Sequence, residues 1–383
     1  MKVPNFKALH VQSNELLHLD LLRFIAASGI VVHHSKEYFF TQSERAASGH
    51  QSAGLALFVD LFFVISGYVI AYVYANRMSS FDDFGRFVQR RIGRLVPLHW
   101  LTLVISIAMW LAFLKLGVHF AHIPSFRPEC IAVTAALLHA GITCERGMFN
   151  GQSWTISAEM GMYLAFPLFS YLGWKSRNLP LLLGAAVLAL ILISMMTREA
   201  LFPSEAWGDM QPYLRAAPSF IIGVGLWFSR GWLRSFPLAQ PILVASLIAL
   251  VSAMMTAAPG IVVLTLIYLT TIAAIAADLQ RKSGPIVVTV APLGQLTYSI
   301  YMWHGLFITV LMNGLGDKFL HARAGVMAPL ALVTYALILG CSYISYLSIE
   351  TPARRWVDRL PLFTRRAHDT NPSSPELIRV PPP

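Results

Sequence analysis

The chain has 383 residues, 56% of them hydrophobic and only 13% charged, with a net charge of +10 and a mean hydropathy of +0.60. A soluble domain carries about 25% charged residues, so a water-soluble fold is excluded and an all-α, polytopic membrane protein is expected. The basic excess sits in loops, where membrane proteins place it, and so does not indicate nucleic acid.

Ten spans are predicted, at about 19–38, 54–75, 96–117, 154–172, 180–196, 212–228, 239–255, 260–278, 293–312 and 326–348, each near the length a bilayer requires. Asp20 and Arg23 interrupt the first apolar run and no small-residue cleavage site follows it, so a retained span is expected rather than a leader. Residues 131–140 are too short to cross and are expected as a helix in or on the outer surface. Counting from an inner N-terminus, nineteen Lys and Arg fall in inner segments and seven in outer ones. That asymmetry, with an even span count, puts both termini in the cytoplasm. The chain thus divides into a cytoplasmic segment 1–18, a transmembrane domain 19–356 and a disordered cytoplasmic tail 357–383. Cys130 and Cys144 share one external loop, where a disulfide can form, whereas Cys341 lies inside a span.

Several spans carry ionisable residues, which are costly in hydrocarbon and mark function by default. In the first span Arg23 and His34 stand eleven positions apart. On a helix that spacing comes to roughly 1100°, about 20° past three turns, with a rise of about 16 Å. The two therefore share a face, while His33 points about 80° away. An imidazole there suits a general base on a hydroxyl, although for a lone histidine a buried structural role, satisfied by a carboxylate, is the commoner case. Asp60 in the second span is the natural partner for an embedded cation, either His34 or Arg23, and an acid on the imidazole would orient it. Ser66-Gly67 reads as close helix packing first and function second.

The most basic stretch follows, Arg86-Phe-Val-Gln-Arg-Arg-Ile-Gly-Arg-Leu-Val-Pro. It reads as a loop before Pro97 opens the third span. Arg91 and Arg94, with Arg90 beside them, suit phosphate groups through the guanidinium fork, or serve only orientation and lipid contact. No GxxxxGK[ST] loop exists, so a nucleotide-like ligand would be held by side chains. The fourth span opens with Trp154 at the outer interface, and places Glu159 and Tyr163 on one face. In the ninth, Tyr301 and His304 are three apart, and both acceptor-site and structural roles fit them. Glu350 closes the tenth, where Pro352 is expected to stop the helix. No metal site is expected.

Taken together these segments resemble the acyltransferase 3 family of integral membrane acyltransferases. The carrying motifs are Leu19-Asp-Leu-Leu-Arg through His34, Val59-Asp-Leu-Phe-Phe-Val-Ile-Ser-Gly-Tyr, Arg90-Arg-Ile-Gly-Arg-Leu-Val-Pro, Trp154-Thr-Ile-Ser-Ala-Glu, Leu293 through His304, and Ile349-Glu-Thr-Pro. The family often has Phe where this chain has Tyr68 and Ser where it has Thr155. The resemblance implies a bacterial inner-membrane enzyme that uses cytoplasmic acyl-CoA, usually acetyl-CoA, as donor, with no permanently bound cofactor. It implies a saccharide acceptor such as a lipid-linked intermediate, exopolysaccharide, O-antigen or lipo-oligosaccharide. Arg23 and His34 fall on the family's essential pair, and Arg91 and Arg94 on its donor-binding motif. The residues expected to act are therefore His34, Asp60, Arg23 and Glu159, with Arg90, Arg91 and Arg94 on the donor. A transporter or flippase for a saccharide or anionic solute is the competing reading of the same buried charges.

Overall fold

The computed structural model describes residues 16–40, 53–118, 123–142, 148–195, 211–256, 258–281, 283–322 and 324–363, with Leu9, Phe120 and Cys144. Most of the expected N-terminal segment and residues 364–383 of the expected tail lie outside the described residues. Among the described residues every regular element is helical. In chain order these are α1 (Leu17–Ser35), α2 (Phe58–Tyr74), α3 (Phe81–Lys115), α4 (Pro128–Ala135), α5 (Trp154–Lys175), α6 (Leu179–Met195) and α7 (Gln211–Phe228). They continue as α8 (Arg230–Arg234), α9 (Ala239–Met255), α10 (Gly260–Leu279), α11 (Pro285–Val290), α12 (Thr297–Phe307), α13 (Ala324–Ser345) and α14 (Thr351–Arg359).

By length and composition, five helical stretches among the described residues can cross a membrane: Gly54–Arg77, Phe81–Lys115, Gly260–Leu279, Pro285–Phe319 and Gly325–Arg359. Leu179–Leu192 and Ala239–Met255 are apolar but shorter. Leu182, Leu190, Ile248, Leu332 and Ile344 are all more than 60% exposed, an apolar exterior that water would not tolerate and lipid requires. The chain is a multi-pass membrane protein.

Two starts and stops differ from the sequence expectation. The basic stretch 86–94 is not a loop, because α3 begins at Phe81 and runs unbroken through Pro97. Ser80 caps it, accepting from the Asp83 N–H at 3.1 Å, while Asp83 accepts from the Ser79 hydroxyl at 3.0 Å. Pro97 removes only the bond to the carbonyl of Gly93, and Gly93 packs directly against Val357 of α14. Pro352 likewise does not end the chain's helical course. It stands in the first turn of α14, where its missing N–H is not needed, and order continues past the expected boundary at 356. Residues 131–140 are helical only as far as Ala135. Thr134, Leu137, His139 and Ala140 are buried rather than laid on the surface. The carbonyl of Thr134 pairs with the His99 ring at 2.9 Å, and Ser157 Oγ accepts from the Ala140 N–H at 2.9 Å. Cys130 and Cys144 are joined by a disulfide that closes this segment.

Two contacts set the bundle's geometry around the candidate site. A β-carbon on Gly67 would collide with the Phe220 carbonyl, and one on Gly223 with the Val64 carbonyl. The backbones of α2 and α7 therefore meet directly, as small residues permit in bilayers. At the start of α1, Asp278 of α10 accepts from the His18 N–H at 2.9 Å and the Leu19 N–H at 3.2 Å, and pairs with the His18 ring at 2.7 Å. A carboxylate from another helix thus does the work of an N-cap.

Candidate active site

Five parts of the chain meet around one cavity. Arg23 comes from α1, Ser66 from α2, Arg91 and Arg94 from α3, Glu159 and Tyr163 from α5, and Tyr298 and Tyr301 from α12. The cavity encloses about 820 Å³ of empty space, its open mouth included, between apolar walls that include Val59, Phe62, Phe63, Leu95 and Ile156. Six residues singled out from the sequence therefore border one space: Arg23, Arg91, Arg94, Glu159, Tyr163 and Tyr301.

Positive charge dominates one wall. Arg91 Nη2 donates to the Tyr74 hydroxyl at 3.3 Å, and its guanidinium lies 5.4 Å from the Tyr74 ring and 5.8 Å from the Tyr163 ring. Among the described residues no carboxylate is in ion-pair contact with Arg91 or Arg94. Two guanidinium groups without an acid in contact, one of them held between aromatic rings, are equipped to take an anion. Arg23 differs, since its Nη1 donates to Asp20 one turn away at 3.0 Å. Arg90 does not border the cavity and faces Asp358 at 3.8 Å.

Glu159 supplies the negative charge. Its Oε1 accepts from Tyr163 at 2.5 Å and also from the Ser66 hydroxyl. The shared face of Glu159 and Tyr163 is as the spacing predicts. Ser66, read from sequence as packing, instead turns its hydroxyl to a carboxylate at the cavity.

His34 is not among the cavity residues. It stands at the last turn of α1, exposed, with its ring stacked on that of His304 at 5.2 Å and edge-on to His33 at 5.0 Å. His304 is buried and its Nδ1–H donates to the Tyr301 carbonyl at 2.7 Å, because a carbonyl can only accept. Tyr301 thus borders the cavity while its backbone holds the histidine that supports His34. Arg23 borders the cavity, whereas His34, farther along α1, is exposed and packs on His304 of α12.

Asp60 requires a correction. Its partner is neither His34 nor Arg23 but Arg215 on α7, whose Nη2 donates to Asp60 Oδ2 at 2.8 Å and to the Ala56 carbonyl at 2.9 Å. The backbone contact of α2 with α7 fixes this pairing. Trp154, expected as an interface marker, lies over the same guanidinium at 5.5 Å. Arg215 was missed although the rule that flagged Arg23 applies to it, an arginine inside an apolar span. Gln152 was also missed. It donates to the Met302 carbonyl at 3.0 Å and to Asn150 Oδ1 at 2.6 Å, and Gly305 leaves room for it.

Comparison with known proteins gives a family match and several relatives. The sequence profile of the acyltransferase 3 family, described as an acyltransferase domain, matches residues 16–347. The chain is 24% identical to acyltransferase MdmB of Streptomyces mycarofaciens over 389 aligned residues, covering 94% of this chain and 97% of that protein. It is 26% identical to the putative membrane-bound transacylase BcsY of Komagataeibacter xylinus, over 80% of this chain and 78% of the other. It is 27% identical to exopolysaccharide production protein ExoZ of Rhizobium meliloti strain 1021, over 80% of this chain and 92% of the other. No solved structure matches significantly. A family model matched over residues 16–347, most of the chain, shows that the chain belongs to the acyltransferase 3 family of membrane acyltransferases.

Proposed function

We propose that the protein moves an acetyl or other short acyl group from cytoplasmic acyl-CoA to a hydroxyl of a lipid-linked or cell-surface saccharide. In this reading the ten predicted spans cross a bacterial inner membrane with both termini inside. The Asp278 contact supports that topology, since it joins the start of the first span to the end of the eighth, both on the inner side. The transmembrane domain covers 19–356, with cytoplasmic segments on either side.

The observation that carries the proposal is the cavity with Arg91 and Arg94 on one wall and Glu159 on another, in a chain of this family. The two guanidinium groups are suited to CoA phosphates at the inner mouth. Arg23, deeper along α1, is placed to meet the pantetheine arm or the developing oxyanion. His34 acts as base on the acceptor hydroxyl near the outer end of α1, and His304, held by the Tyr301 carbonyl, stacks on its ring. An acceptor saccharide fits what relatives such as ExoZ are named for, and the exposed position of His34 leaves room for it. Tyr163 and Trp154 act through their neighbours, Glu159 and Arg215.

The test is surface-glycan mass spectrometry of a deletion strain complemented with the parent chain or with His34→Ala. The parent restores a missing acyl increment and His34→Ala, expressed to the same level in membranes, does not. Full restoration by His34→Ala would remove His34 from the reaction.

A further inference from the structure

Ser66 and Glu159 form a pair that base catalysis by His34 leaves without a task. The Ser66 hydroxyl on α2 donates to Glu159 Oε1 on α5, and Tyr163, one turn on, fixes that oxygen from 2.5 Å. Three other cavity hydroxyls are spent on backbone carbonyls. Thr155 donates to the Gln152 carbonyl at 3.2 Å, Thr297 to the Gly294 carbonyl at 2.7 Å, and Tyr298 to the Leu95 carbonyl. Ser66 is thus the aliphatic hydroxyl of the cavity with a carboxylate as its acceptor. A hydroxyl on a base that a third group orients is the arrangement nucleophilic catalysis needs, and here Arg23, Arg91 and Arg94 border the same space.

Position along the helices points the same way. In the ten-span topology α2 enters from the outer side, and Ser66 lies eight residues past its first residue, Phe58, about 12 Å inward. His34 stands one residue from the end of α1 and does not border the cavity. A thioester delivered among the arginines meets Ser66 before it meets His34.

We propose that Ser66 carries the acyl group as an ester between donor and acceptor; this rests on the acyl-CoA reading above. In the first step Ser66 Oγ bonds to the thioester carbonyl carbon as its proton passes to Glu159. The carbon–sulfur bond then breaks, and CoA leaves as the thiolate. In the second, the acceptor hydroxyl adds to the ester carbonyl and its proton passes, by way of a water, to His34, which lies outside the cavity. Ser66 Oγ leaves and takes its proton back from Glu159. His34 then returns a proton to solvent, which balances the thiolate released.

A covalent intermediate permits isotope exchange without acceptor. Purified full-length protein is mixed with acetyl-CoA and radiolabelled free CoA, and label entering acetyl-CoA is followed. In parallel, membranes are scored for transfer of labelled acetyl from acetyl-CoA into the host's alkali-labile glycan fraction. The parent chain exchanges and transfers. Ser66→Ala loses both, by on the order of 10³-fold or more, the scale on which loss of a nucleophile acts. His34→Ala keeps exchange while losing transfer. Ser66→Cys, which guards against a folding defect, traps acetyl as a thioester that neutral hydroxylamine releases. A parent chain that transfers but does not exchange overturns the serine ester and leaves the acyltransferase reading intact, as does exchange that survives Ser66→Ala or vanishes with His34→Ala. A parent chain that neither exchanges nor transfers overturns the acyl-CoA reading itself.

Discussion

Replacing Arg215 with alanine tests how α2 is held against α7. Asp60 is fully buried, its Oδ1 has no hydrogen-bond partner, and its Oδ2 takes both Arg215 nitrogens, at 2.8 and 3.3 Å. Removing the guanidinium strands a carboxylate in the protein interior and frees the Ala56 carbonyl. Breaking a buried pair from one side costs about 3–5 kcal/mol, whereas removing both charges is often close to neutral. Arg215→Ala should therefore lower the folded-to-unfolded ratio by roughly 10²–10⁴-fold. Asp60→Asn with Arg215→Ala should recover at least half of that loss. Thermal melting of detergent-solubilised protein, followed by the monodisperse peak on gel filtration, ranks the three chains. If Arg215→Ala melts with the parent, or the double variant melts below the single one, the buried pair is not what aligns these helices.

Other consequences can be checked in the same preparations. Arg91→Ala and Arg94→Ala should each weaken acyl-CoA binding by roughly 10–100-fold, the value of a charged hydrogen bond or two. Arg91→Lys should not restore it, because an ammonium lacks the planar fork; titration of purified protein with acyl-CoA reads both. Asp278→Ala uncaps α1 and should cost about 1–3 kcal/mol, seen as a lower melting midpoint with acyl-CoA binding kept in the fraction that folds. Reduction of the Cys130–Cys144 bridge, which closes a loop with sequence separation 14, should cost about 3 kcal/mol. Of the freed thiols Cys144, half-buried where Cys130 is buried, should react with an impermeant maleimide added outside intact cells; labelling of Cys144 only from the cytoplasmic side would reverse the assigned orientation.

The spans at 54–75 and 260–278 were legible because their apolar runs are long and bounded by polar residues. The start of the third was not, because Pro97 was read as a helix opener. At the first turn proline is favoured, but within a helix it costs one bond, and here Gly93 and α14 accommodate it. The true start was written in Ser80-Phe-Asp-Asp, a cap signature. The shared faces of Arg23 with His34 and of Glu159 with Tyr163 follow from helical periodicity, which acts over a few turns. Asp60 with Arg215 and Ser66 with Glu159 do not. Their sequence separations are 155 and 93, and such pairs depend on which helices pack side by side. Periodicity says which way a residue faces, not what it meets. That is why Asp60 was given a partner from the neighbouring span.

Acyl-group origin bears most directly on the proposed reaction. Inner-membrane vesicles containing the parent chain, or the chain with Arg91→Ala and Arg94→Ala together, would be given acetyl-CoA labelled in the acetyl group at the cytoplasmic face. The parent should place label in an alkali-labile ester on glycan and the double variant should not. Vesicles in which the parent moves saccharide across the membrane but leaves it unlabelled would contradict acyl transfer and identify a transporter.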